Sequence, residues 1–92
     1  MQKAKTHTGT VKKFSGNLGW WYVSVPWTYD DLGIPKPKWG LVPAEFTVGK
    51  TTWRRSLLPM GDGSLFVALN AKVRRGEDIH EGDVVTIRVK VL

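Results

Sequence analysis

The residues of this sequence best suited to chemistry are cations set beside aromatic rings. Trp53-Arg54-Arg55 forms one such group, and Lys72, Arg74 and Arg75 form a second. Arginine forks onto a carboxylate or phosphate and also stacks on an aromatic face. An aromatic floor rimmed by arginines suits a nucleotide, a single-stranded nucleic acid or an anionic metabolite. Trp53, Arg54, Arg74, Trp39 and Ser56 are therefore the candidate ligand-binding residues. The competing structural reading makes Trp53 core and leaves the cations to solvate two exposed faces.

Other motifs carry less. Gly49-Lys50-Thr51-Thr52 resembles a fragment of a phosphate-binding loop, but Ala44 stands where the first glycine belongs and an alternating strand follows where a helix should. It reads as a hairpin turn, as does Gly61-Asp62-Gly63. His7 and His80 lie far apart, and neither shows metal-ligand spacing. Ser24 and Ser56 lack the setting of a nucleophile. No catalytic residue, metal or cofactor is assigned. Acid–base chemistry by groups that folding gathers stays open.

The 92 residues fit one domain, 1–92. Fourteen Lys and Arg against eight Asp and Glu give a net charge of +6, which favours anionic partners, nucleic acid among them. The absence of cysteine excludes disulfides and thiolate chemistry, and suits a reducing cytoplasm. The first residues are charged without an apolar run to follow, unlike a signal peptide. No stretch has the roughly 20 apolar residues of a membrane span. The expectation is a soluble, cytoplasmic chain with no membrane partner.

The elements that must position these residues are strands. Val85, Ile87, Val89 and Val91 alternate with Thr86, Arg88 and Lys90, which predicts a strand over 84–91 with one apolar and one basic face. Further strands are expected at 20–25, at 64–69 and at 7–14. Residues 41–48 and 51–58 read as a hairpin closed by Gly49-Lys50. Pro26 ends the second strand, because it has no N–H to donate. Ser15-Gly16-Asn17, Pro35-Lys36-Pro37 and Glu81-Gly82-Asp83 are turn signals. Thr28-Tyr29-Asp30-Asp31 has the spacing of a helix start, and 71–76 reads as a short helix stopped by glycine. The fold class is all-β: a small closed barrel of six to seven strands with one or two short helical turns. Trp21 and Trp53 belong to its core, and Trp27 and Trp39 flank the longest irregular segment as candidates for a pocket rim.

The order of Gly19-Trp20-Trp21-Tyr22-Val23-Ser24-Val25-Pro26, Trp39-Gly40-Leu41-Val42-Pro43, Val48-Gly49-Lys50 through Leu58-Pro59, Val73-Arg74-Arg75 and Glu81-Gly82-Asp83-Val84-Val85 closely resembles a bacterial family, domain of unknown function number nineteen-oh-five. The resemblance spans about residues 8–91. It implies a double-split β-barrel loosely akin to AbrB-type transcription factors, and no established activity. The family often has a lysine before the short helix, where this sequence has Asn70. The leading expectation is a non-enzymatic module binding an anionic small molecule. An AbrB-like DNA-binding homodimer, an unrecognised small-molecule enzyme and a subunit-association domain are the alternatives.

Overall fold

Side chains that alternate along each strand line the inside and outside of a barrel in the computed structural model, which describes residues 4–14 and 20–92. Its strands are β1 Ala4–Thr10, β2 Lys12–Lys13, β3 Trp21–Val25, β4 Val42–Val48, β5 Thr51–Pro59, β6 Leu65–Leu69 and β7 Val84–Val91. One helix, α1 Ala71–Gly76, precedes β7. The strand order is β1-β7-β4-β5-β6-β3-β2, and every pairing is antiparallel. The Ser15-Gly16-Asn17 turn signal lies outside the described residues.

A barrel this small is filled by its own side chains. Phe46, Leu57, Leu65, Ile87 and Val67 are fully buried inside it, and no polar side chain is buried among the described residues. Strand β7 follows the expected alternation, burying Ile87 and Val89 while Arg88 and Lys90 face solvent.

Two segments change partners, and these changes split the barrel. The expected opening strand at 7–14 is two strands broken at Val11. Its N–H donates to the Asp83 carbonyl at 2.8 Å, and its carbonyl accepts from the Gly82 N–H at 2.9 Å. Before this point β1 pairs with β7; after it β2 pairs with β3. Strand β5 pairs with β4 from Thr51 to Leu57, then with β6 through Leu58 and Pro59.

Local signals set the connections. Gly49, at φ +57°, opens the two-residue turn between β4 and β5, and Lys50 keeps a negative φ, as in a type II′ hairpin. A Cβ at position 49 would fall on the Glu77 carboxylate, which also accepts a 2.6 Å hydrogen bond from Thr51. Thr28 and Asp31 each accept from the other's N–H, closing one helical turn that does not propagate. Helix α1 ends at Gly76 as expected, but that glycine does not take the left-handed conformation that stops it. Asp78 takes the left-handed conformation, at φ +52°, and the Ile79 N–H reaches back to the Arg74 carbonyl at 2.8 Å. This is a Schellman end with aspartate in the place usually held by glycine. Among the described residues, no helix is long and apolar enough to cross a membrane.

Candidate functional site

The two-residue turn fixes which backbone groups of β5 meet β4. Its closing pair, Val48 and Thr51, is hydrogen-bonded, and hydrogen-bonded pairs recur at every second residue. Trp53, Arg55 and Leu57 therefore turn their N–H and C=O groups to β4, and Arg54, Ser56 and Leu58 turn theirs the other way. Pro43, which has no N–H, falls opposite Ser56, where none is needed. Leu58 meets β6 at Phe66, and the Met60 N–H continues the ladder to the Ser64 carbonyl at 2.9 Å. By the same alternation Ala68 turns its backbone toward β5. There, however, the strands have parted. Only Leu58 and Pro59 of β5 pair with β6, so the edges at Arg54, Ser56 and Ala68 face each other across a gap with no ladder between them.

This gap is a groove of about 630 Å³. Arg54, Arg55, Ser56 and Leu58 form one wall, and Ala68 and Asn70 the other. Leu41, Pro43, Leu92 and Trp20 complete its lining. Trp20, Leu41 and Leu92 are exposed despite their size, and all three gather here. Arg55 shares a parity with Trp53 and Leu57 and would face the core of a closed barrel. It is exposed instead, because the wall it would have packed against is missing. The Arg54 Nε donates to a Glu45 carboxylate oxygen at 3.2 Å, and the arginine side chain stays 70% exposed. Arg55 makes no ion pair among the described residues.

A smaller hollow of about 300 Å³ adjoins it, sharing Trp20, Ala68 and Asn70. The Arg74 guanidinium lies 4.7 Å from the Trp21 ring centre, and its Nε donates to the Leu69 carbonyl at 3.2 Å. Asn70 caps α1 by accepting the Val73 N–H at 2.9 Å.

The model of the family described as Domain of unknown function (DUF1905) matches residues 7–89. The chain belongs to that family. No curated protein matches it.

Within this DUF1905 barrel the five candidate residues go to different places. Arg54 and Ser56 line the same groove. Trp53, which immediately precedes Arg54, points inward and packs on Phe46 with ring centres 5.4 Å apart. Its buried Nε1 has no hydrogen-bond partner among the described residues. Arg74 belongs to the adjoining hollow. Trp39 is 77% exposed in the long loop, with the Lys38 Nζ 5.5 Å from its ring centre. Trp27, the other residue flanking that loop, packs against the core and meets His7 edge-on. The groove residues that sequence reasoning missed are Arg55, Trp20, Leu41 and Leu92. Nothing in the sequence marks where β5 leaves β6.

Titration is perturbed elsewhere. The Thr28 backbone N–H, then its hydroxyl, hold the Asp31 carboxyl below the usual carboxylate range. The Ser64 hydroxyl, then its N–H, do the same for Asp62. Among the described residues no three His, Cys, Asp or Glu are gathered so as to hold a metal ion.

Proposed function

We propose that the domain is a binding module for an amphipathic anion, held in the open split between β5 and β6. The observation that carries this reading is the meeting of Trp20, Leu41 and Leu92, all exposed, with the arginines Arg54 and Arg55 in one groove. Scattered exposed apolar residues need no explanation; a cluster rimmed by polar groups marks an interaction site. The apolar lining takes a hydrocarbon or aromatic body, and the guanidinium forks orient a carboxylate or phosphate at its end. Arg74 beside Trp21 supplies a third cation in the adjoining hollow.

Thermal-shift titration tests this reading, since a ligand that binds only the folded state raises its melting temperature. Octanoate is expected to raise it, and octylamine, of equal length and opposite charge, is not. The double variant Arg54→Gln/Arg55→Gln should lose the octanoate response. Equal responses to both amphiphiles, or an unchanged response in the double variant, would overturn the assignment.

DNA binding has a weaker footing. Arg88 and Lys90 face outward from β7, but Glu45 pairs with Lys90 across the sheet and places a carboxylate in that surface. A retained complex with duplex DNA at low salt that weakens steeply as salt rises would favour it.

A further inference from the structure

The groove is bounded by something that a pocket for a small molecule does not require: two strand edges with unused backbone groups. The N–H and C=O of Arg54 and Ser56 on β5, and those of Ala68 on β6, face the gap by the parity of their ladders. None of them takes part in a hydrogen bond to a side chain or loop among the described residues. A small amphiphile would leave these groups to water. An extended peptide paired with β5 would satisfy those of Arg54 and Ser56.

The other split shows what a closed one looks like. There β1 crosses β3 at Gly9, where a Cβ would lie 2.9 Å from a Val23 methyl carbon, and the His7 ring packs on Trp27. Among the described residues the β5–β6 split has no such filling. Its open edge from Arg54 to Leu57 spans about 10 Å at ~3.3 Å per residue, the length of a four-residue strand. An added strand presents alternate side chains to opposite faces. One set would lie on the face of Leu58, which Arg54 shares, and the other would come within reach of Arg55 on the opposite face.

We propose that the β5–β6 split accepts an extended peptide of alternating apolar and acidic residues as an added strand paired with β5. This is the strand-addition mode of recognition, in which main-chain hydrogen bonds supply affinity and side-chain pockets supply specificity. The inference rests on the reading of this groove as the binding site and narrows its ligand from any amphipathic anion to a peptide.

The test uses a capped six-residue peptide alternating glutamate and valine, together with two N-methylated forms. One form is methylated on the glutamate nitrogens and the other on the valine nitrogens. In a strand these two sets of N–H groups point to opposite edges, so only one set meets β5. Calorimetry is expected to show binding of the parent peptide. One methylated form should bind at least about tenfold more weakly and the other should bind like the parent, as the loss of edge hydrogen bonds predicts. Binding of the parent should also slow amide exchange at Arg54 and Ser56. Equal binding of all three peptides would overturn strand addition. If Arg54→Gln/Arg55→Gln still weakened all three, the anionic groove would survive that result. Failure of every peptide while octanoate binds would likewise remove the peptide and keep the groove. Failure of both ligands would remove both.

Discussion

Three single positions show how local chemistry fixes this barrel. Asn70 immediately precedes α1, and its side chain caps the helix. Asn70→Ala should cost about 1 kcal/mol in a denaturant melt, whereas Asn70→Asp should keep most of the cap. Gly49 combines a left-handed backbone with a carboxylate in the place of its missing Cβ. Gly49→Ala should therefore destabilise by at least about 1–2 kcal/mol. Asp31 is held below the usual carboxylate range by hydrogen bonds it makes only when folded. A carboxylate lowered in this way contributes stability above its unfolded value and loses it as pH falls through the folded value. The gap in melting temperature between wild type and Asp31→Asn should therefore be widest near neutrality and shrink in acid. A gap independent of pH would contradict this.

At the scale of elements, the split strand β5 is the feature that matters. Its parity predicts a sawtooth in amide exchange. Trp53, Arg55 and Leu57 bond to β4 and should exchange slowly, while Arg54 and Ser56 face the gap and should exchange fast. Uniform protection along β5 would mean that the gap is closed in solution. The strands themselves were legible in the sequence, because alternation such as Val85, Ile87, Val89 follows from the pleat and needs no knowledge of neighbours. The α1 range was legible too, including its end at Gly76, though the residue that makes the left-handed stop was not: it is Asp78. The partner exchange of β5 and the break at Val11 were illegible, since both depend on which distant edge a strand meets. Trp53 and Arg54, neighbours in sequence, end on opposite faces of β5 as strand alternation requires. Arg55, which shares the parity of Trp53 and Leu57, is exposed in the groove.

For the whole molecule, a barrel must close to protect its strand edges, and this one closes on one side only. Packed side chains fill the split at Gly9 and His7. The split between β5 and β6 stays open and collects exposed apolar side chains with two arginines. A net charge of +6 favours anions over the whole surface, so charge alone would spread weak binding broadly. The groove predicts that binding is local. The most direct measurement is a two-dimensional amide and indole NMR titration with octanoate. The account predicts progressive shifts at Arg54, Arg55, Ser56, Ala68 and the Trp20 indole, with Thr86, Arg88 and Lys90 unmoved. Shifts confined to Arg88 and Lys90, or none at millimolar ligand, would contradict it.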